Sequence, residues 1–258
     1  SLLGLKDDPD MKIDSASSSP SLAQRQLMTR TPDQDFQRDF QAAYARLAAA
    51  AEGSAEQAGA LADTLGATQL EYSRVRGVSL EDQLRFAHVL NRACENGAQL
   101  DARGFLARLG ADDLQALQRN MGLAEPIRVE ALSEEGARNL LLPEGYSVDL
   151  DGDGITEVGA AKIRHFPPRD APQAFLDQWL ALTAGMDGAA YSNARDGLQW
   201  AFDIRAMAGQ PLATDQLASY RTAVDDYLGM LAEHRHALVP GQYERDLPLY
   251  QALRQRLA

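Results

Sequence analysis

The sequence has almost no cysteine and no long apolar run. Cys94 is the only cysteine among 258 residues, so the chain has no internal disulfide bond, although cysteine usage decides little about the cellular compartment. No apolar run approaches the roughly 20 residues of a membrane-spanning helix, and no segment has the charged-then-apolar layout of a signal peptide. The sequence therefore predicts neither a membrane span within it nor a disulfide-stabilised scaffold.

The motifs of several common enzyme sites are also missing. The chain has no GxSxG elbow, no glycine-rich phosphate loop and no HExxH motif. Cys94 has no basic neighbour that would favour a reactive thiolate, and His234 and His236 are spaced two residues apart, which puts them on different faces of a helix. We therefore favour a non-enzymatic protein, while a glycosidase-type pair of carboxylates stays open because it is not recognisable before the fold is known.

Basic residues are few relative to acidic ones. The chain carries 37 Asp and Glu against 25 Lys and Arg, a formal net charge of −12. Such a surface repels nucleic acids and anionic membranes and attracts cations or the basic face of a protein partner. Solubility alone is the other explanation of this charge.

Apolar residues recur at helical spacing along most of the chain. After a capping residue predicted at Thr31, the stripe Phe36, Phe40, Tyr44 and Leu47 is typical of an amphipathic helix. Alternation with a period of two is almost absent. We predict a mostly all-α fold, a multi-helix bundle with at most a short β ribbon beside one acidic loop.

Further helix starts are predicted from capping residues. These residues are Ser54, Ser79, Asp101, Ser133 and Thr214. The helix that begins at Thr214 is expected to be the longest, and residues 127–130 are expected to form a short extended piece.

The pattern also predicts the domain organisation. Residues 1–30 are expected to form a flexible tail because their serine-rich part lacks apolar periodicity. An N-terminal helical region over 31–123 and a C-terminal helical region over 124–258 follow, with one continuous domain as the alternative. Because the chain begins at Ser1, we expect that a tag, a signal peptide or a membrane anchor has been removed upstream.

One segment points to specific chemistry. The motif DLDGDGITE begins at Asp149 and sets Asp151 and Asp153 at alternate positions, with Glu157 at its end. Carboxylates at alternate positions turn onto one point when the chain wraps around it, and Gly154 permits the sharp turn. Calcium prefers six to eight such oxygen ligands.

This segment resembles the EF-hand loop and the wider set of DxDxDG calcium loops. The resemblance implies one bound Ca²⁺, with Asp149, Asp151 and Asp153 as ligands in the first, third and fifth positions. It also implies that Ile155 contributes its backbone carbonyl at the seventh position.

The predicted loop, residues 149–160, departs from the EF-hand at its end. Ala160 occupies the twelfth position, where an EF-hand has a bidentate glutamate. A last carboxylate at the ninth position resembles the shortened loops of integrin-type propeller repeats, which implies that Glu157 is a direct ligand. The helical surroundings do not resemble a propeller, so only the loop chemistry is carried over.

Two interpretations of the loop stay open. Four carboxylates within nine residues repel each other, and a cation relieves that repulsion; Asp-Gly pairs also favour turns that bind no metal. Without a twelfth-position ligand we expect weak binding, with a dissociation constant of about 10⁻⁴–10⁻³ M. Such a site is filled where calcium is abundant, which favours a periplasmic or extracellular location over the cytoplasm.

The sequence thus predicts a calcium-binding, non-enzymatic helical protein of a bacterial-type cell envelope or exterior. The ion is expected to order a structural surface or one that binds a protein partner. A hydrolase with a structural calcium is the first alternative. A cytoplasmic helical adaptor with a vestigial loop is the second.

Overall fold

The computed structural model describes residues 21–258, and these residues confirm the mostly all-α fold with one short ribbon. The helices are α1 (Leu22–Met28), α2 (Gln34–Ala49), α3 (Ala55–Val75), α4 (Leu80–Glu95), α5 (Ala102–Ala107), α6 (Ala111–Met121), α7 (Glu134–Asn139), α8 (Gln173–Thr183), α9 (Gly188–Met207), α10 (Leu217–Glu233) and α11 (Gln242–Leu257). The strands β1 (Ile155–Val158) and β2 (Ala161–Arg164) form an antiparallel hairpin between α7 and α8.

Four of the predicted capping residues begin helices. The side chains of Ser54, Ser79, Asp101 and Ser133 each accept a hydrogen bond from the backbone N–H three residues later. These bonds satisfy N–H groups that the first helical turn leaves without an intrahelical partner. The local sequence therefore sets these boundaries.

Two predicted helix starts are wrong. Asp33, not Thr31, caps α2, because its carboxylate accepts the hydrogen bond from the backbone N–H of Phe36 at 2.8 Å. Thr214 lies before the start of α10, and its hydroxyl instead donates to Asp170 at 2.7 Å. A cap must face its own helix, and these two threonines do not.

Two other expectations on secondary structure are also wrong. The longest continuous helix is α9, with 20 residues against 17 in α10; α3 spans 21 residues, but a backbone break at Gly66 divides it (φ 80°). Within the expected extended piece, the chain turns into a 3₁₀ helix at Val129–Ala131. This 3₁₀ helix is part of the segment that joins α6 to α7.

Part of the predicted flexible tail lies within the described residues. Residues 1–20 lie outside them, whereas Leu22–Met28 form α1, which the sequence analysis did not predict. Arg25 on α1 makes an ion pair with Glu71 on α3 at 2.6 Å. The helix is therefore joined to the body of the protein.

Buried apolar side chains form two clusters. The first cluster extends from Phe40 to Leu141 and includes the inner faces of α2, α3, α4, α5, α6 and α7. The second cluster extends from Phe166 to Leu257 and includes α8, α9, α10 and α11. The packing thus changes near residue 160, whereas the predicted boundary of the helical regions lies at 123/124. The acidic loop and the hairpin connect the two clusters along the chain.

Candidate metal centre

The acidic loop folds as a tight turn held by its own carboxylates. Asp149 accepts hydrogen bonds from the backbone N–H groups of Gly152 at 2.9 Å and Gly154 at 3.2 Å. Both glycines have positive φ angles, 70° and 80°, which other residues rarely adopt. The predicted sharp turn at Gly154 is confirmed.

The next two carboxylates also bond to the backbone ahead of them. Asp151 accepts from the backbone N–H of Asp153 at 3.3 Å, and Asp153 accepts from that of Ile155 at 2.7 Å. Each carboxylate uses one oxygen in these bonds, and carboxylate oxygens have further acceptor capacity. The bonds therefore shape the loop without using up its carboxylates.

A fourth carboxylate reaches the loop from α7. Glu135 is buried, with 7% of its surface exposed. Its two oxygens accept hydrogen bonds from the backbone N–H groups of Leu150 and Glu157, both at 2.8 Å. This side chain therefore holds the start of the loop and the hairpin together.

Asn139 reinforces the same connection one helical turn later. Its amide oxygen accepts from the backbone N–H of Val148, and its amide nitrogen donates to the carbonyls of Val148 and Glu157, all at 2.8 Å. Glu135 and Asn139 are four residues apart and share one face of α7. This face therefore fixes both ends of the loop.

Two glycines allow α7 to approach the hairpin so closely. The backbone N–H of Gly159 donates to the carbonyl of Gly136 at 2.9 Å. A Cβ atom added to Gly136 would lie 2.2 Å from the carbonyl oxygen of Gly159. Only a residue without a side chain fits this contact, which brings the neighbouring Glu135 to the loop.

The geometry brings three carboxylates together. One oxygen of each of Glu135, Asp149 and Asp151 lies within 4.8 Å of the other two. Calcium–oxygen distances are about 2.3–2.6 Å, so oxygens on opposite sides of one ion are separated by up to about 5 Å. The three groups are close enough to bind one cation.

Three of the predicted ligands, Glu157, Asp153 and Ile155, are not among these three carboxylates. The Glu157 carboxylate forms a hydrogen bond with the Ser133 hydroxyl and an ion pair with Lys162 at 3.1 Å. These two contacts lower the pKa of Glu157. Asp153 is likewise not one of the three clustered carboxylates, and Ile155 begins β1 opposite Arg164. The ligand roles of these residues stay predictions.

Sequence reasoning missed Glu135. It lies 14 residues before Asp149, outside the motif that points to calcium. A signal was present in the sequence, since Glu135 and Asn139 repeat at helical spacing beside the apolar Leu140. That spacing predicts a polar pair on or near the buried face of the helix, but it does not predict that the pair bonds to the acidic loop.

His165 packs against the other side of the loop. Its backbone N–H donates to the carbonyl of Gly154 at 2.9 Å, and its ring contacts the hydroxyl of the buried Thr156. Burial is the main cause of a lowered pKa for this ring; Arg169 lowers the pKa further and Asp149 opposes the shift. The ring is therefore more readily neutral than an exposed histidine.

A cavity of about 640 Å³ separates the loop from the second cluster. Its walls include Asp149, Asp153 and His165 on the loop side and Phe202 and Asp203 on α9. Arg164 of β2 spans the gap, since its guanidinium nitrogen lies 2.7 and 2.9 Å from the two carboxylate oxygens of Asp203. The hairpin that follows the loop is thus linked to α9 by an ion pair across the cavity.

Comparison of the chain with protein-family models, with curated proteins and with solved structures finds no match. Among residues 21–258, none of the helices combines the length and the apolar character that crossing a membrane requires.

Proposed function

We propose that the loop of residues 149–157, together with Glu135, binds one calcium ion. The observation that carries the proposal is the convergence of Glu135, Asp149 and Asp151, three carboxylates whose oxygens lie within 4.8 Å of each other. Like charges at this distance repel each other. A divalent cation removes that repulsion and also suits the oxygen-only chemistry of the group.

Glu135 offers a replacement for the glutamate that an EF-hand carries at its twelfth position. The chain has Ala160 there. Glu135 instead reaches the loop from α7, and its two carboxylate oxygens accept hydrogen bonds from the backbone N–H groups of Leu150 and Glu157. The remaining positions fall to Asp153, to backbone carbonyls such as that of Ile155, and to water. We expect a dissociation constant of about 10⁻⁴–10⁻³ M, in the class of extracellular calcium modules.

The proposed role of the ion is structural rather than catalytic. The loop is joined to the first cluster through Glu135 and Asn139, and the hairpin that follows it is joined to α9 through Arg164 and Asp203. An ion that binds only the ordered loop shifts the population toward that arrangement. It would thereby order a structural surface, or one that a protein partner recognises, in the cell envelope, where calcium is abundant enough to fill a weak site.

Calcium titration by calorimetry, with magnesium as the comparison ion, tests the proposal. We expect Asp149→Ala to abolish the calcium signal. Glu135→Gln keeps the size of the side chain and removes its charge, so we expect affinity to fall about tenfold or more. Glu134→Gln is the matched control, because Glu134 is the adjacent carboxylate on α7 and instead pairs with Arg138 at 3.3 Å.

A third variant decides the role of Glu157. If its carboxylate stays with Ser133 and Lys162, Glu157→Gln leaves the calcium affinity within about threefold of the wild type. A loss as large as that of Glu135→Gln would instead establish Glu157 as the direct ligand that the loop pattern predicts. Equal isotherms for the wild type and Asp149→Ala would refute the site.

The two alternatives predict different results. A cytoplasmic adaptor with a vestigial loop gives no calcium heat in the wild type. A hydrolase with a structural calcium has a natural place for a substrate in the 640 Å³ cavity, where Asp170 and Asp203 lie. In that case Asp203→Asn would remove hydrolysis of a glycoside substrate while calcium binding persists.

A further inference from the structure

A second cavity lies in the first cluster, and its lining includes none of the residues proposed to bind calcium. Its volume is about 500 Å³, and it opens between the start of α2, the end of α4 and residues 141–148. Ligand sites are typically concave and mostly apolar, with volumes of about 300–1,000 Å³. This cavity falls within that range.

The walls of this cavity are predominantly apolar. They include Phe36, Ala98, Leu100, Leu142 and Val148. Ala98 and Leu142 are each only 3% exposed and form fixed parts of the wall, whereas Leu100 is 88% exposed and lies at the opening. An apolar ligand that enters therefore exchanges water for apolar contacts on several sides.

Cys94 is part of the same apolar wall. Burial is the main cause of the rise in its pKa to about 11, with Glu95 adding to it. The thiol is therefore protonated at neutral pH and behaves as a small hydrophobic group. It adds no charge to the cavity.

The polar groups of the rim can accept hydrogen bonds. The amide nitrogen of Gln37 donates to the carbonyl of Cys94 at 3.2 Å, and that of Gln99 donates to the carbonyl of Arg138 at 3.4 Å. Their amide oxygens receive no hydrogen bond from any residue within 21–258. Asp33 adds a carboxylate, and among residues 21–258 no lysine or arginine lines the cavity.

We propose that this cavity binds a small aromatic molecule that carries a hydrogen-bond donor and no negative charge. The apolar walls accommodate the ring, and the rim oxygens of Gln37 and Gln99 accept from its donor. An anion would meet the carboxylate of Asp33, and no lysine or arginine among residues 21–258 lines the cavity to offset it. The wall of the cavity reaches Val148, the residue before the loop, but includes none of the residues proposed to bind calcium.

Three probes with the same ring system test the inference: 2-naphthol, 2-naphthylmethylamine and 2-naphthoate. We expect the alcohol and the amine to bind with dissociation constants on the order of 1 mM or lower. The carboxylate should bind at least about tenfold more weakly. All titrations are made in EDTA, so that failure of the calcium site does not affect the outcome.

Two variants and one control locate the binding. Cys94→Phe places a ring in the cavity and should abolish binding, and Leu100→Ser removes an apolar side chain from the opening and should weaken it. Val75→Ser is the matched control, because Val75 is also exposed, at 69%, and does not line this cavity. Because Leu100 is exposed, its replacement should leave the fold intact, so the Leu100→Ser variant gives a result even if Cys94→Phe fails to fold.

Amide chemical-shift mapping completes the test. Changes on adding 2-naphthol should concentrate at Gln37, Gln99 and Cys94. Binding of naphthoate as tight as that of naphthol would overturn the proposal. So would equal affinities of the Leu100→Ser and Val75→Ser proteins, shift changes confined to another surface, or no binding of any probe.

Discussion

The acidic loop and the aromatic core of the second cluster are stabilised by different interactions. In the loop region, six backbone N–H groups donate to the carboxylates of Glu135, Asp149, Asp151 and Asp153. In the second cluster, rings pack directly, with the centroids of Phe175 and Tyr220 4.0 Å apart. The first region depends on charge and the second on volume.

This difference predicts which conditions each region responds to. Apolar packing is lost when atoms are removed, because the cavity left behind is only partly filled by relaxation. The strength of a hydrogen bond to a carboxylate changes when pH or a bound cation alters the charge of that carboxylate. The second cluster should therefore be sensitive to truncation, whereas the loop should be sensitive to calcium, to pH and to its close contact with α7.

The largest effect is expected from Trp179→Ala in the second cluster. Trp179 is 0% exposed and packs against Phe166 and Phe175, with centroids 5.3 and 5.9 Å away. Its removal should lower the free energy of unfolding by about 3–5 kcal/mol. Urea denaturation followed by circular dichroism measures the change, with and without calcium.

The other tryptophan is the matched control. Trp200 lies on α9 and is only partly buried, so Trp200→Ala should destabilise less than Trp179→Ala. Equal losses would mean that burial does not decide stability in this cluster. A Trp179→Ala loss that changes with calcium would show that the two regions are not separate.

The next effect is expected at the contact between α7 and the hairpin. In Gly136→Ala the new methyl group meets the carbonyl oxygen of Gly159, as near as 2.2 Å before relaxation. We expect a loss of about 1–3 kcal/mol in the free energy of unfolding. Calcium affinity should fall as well, because Glu135 moves with the helix.

Gly59→Ala is the control for that substitution. Gly59 lies inside α3 and an added Cβ would meet no atom within 4 Å. Alanine is favoured over glycine in a helix by about 1 kcal/mol, so this variant should be slightly more stable than the wild type. A neutral Gly136→Ala would contradict the close approach of α7 to the hairpin.

Calcium itself should have an intermediate effect. With a dissociation constant of about 10⁻³ M, 10 mM CaCl₂ raises the free energy of unfolding by about 1.4 kcal/mol. Urea denaturation with and without the ion measures this increment. We expect Asp149→Asn to abolish it and Trp179→Ala to leave it unchanged; an increment that survives Asp149→Asn would place the ion elsewhere.

The same division separates what the sequence could predict from what it could not. Helix starts at Ser54, Ser79 and Ser133 were predictable because a cap bonds to a backbone group only three residues away. The turn at Gly154 was predictable for a similar reason, since its hydrogen bond with Asp149 spans five residues. Interactions between residues only a few positions apart can therefore be predicted from the local sequence.

Contacts between distant segments were not predictable in this way. Glu135 bonds to the N–H of Glu157 across 22 residues, and only the packing of α7 on the hairpin brings the two together. Thr214 resembles a cap but bonds to Asp170, 44 residues away. A local pattern shows which groups a side chain is able to bond, whereas tertiary packing decides which of them it reaches.

The smallest effect is expected from His165, which joins the loop to the cavity wall. Its pKa in the folded protein lies below the ordinary value of 6.5, chiefly because of burial. Below pH 6.5 the unfolded chain therefore takes up the proton more readily, so the free energy of unfolding falls as pH drops toward the folded pKa. Above pH 6.5 the histidine is neutral in both the folded and the unfolded chain, so the stability that the neutral ring allows is fully present.

The measurement compares the wild type with His165→Gln in urea at several pH values between about 5 and 8, the range in which histidines titrate. The wild type should lose more stability on acidification than the variant, and a histidine-ring NMR titration gives the pKa directly. Parallel pH profiles, or a ring pKa at or above 6.5, would show that His165 does not cause the loss of stability on acidification. The response of this region to pH would then rest on Glu157, whose pKa is lowered by its contacts with Ser133 and Lys162.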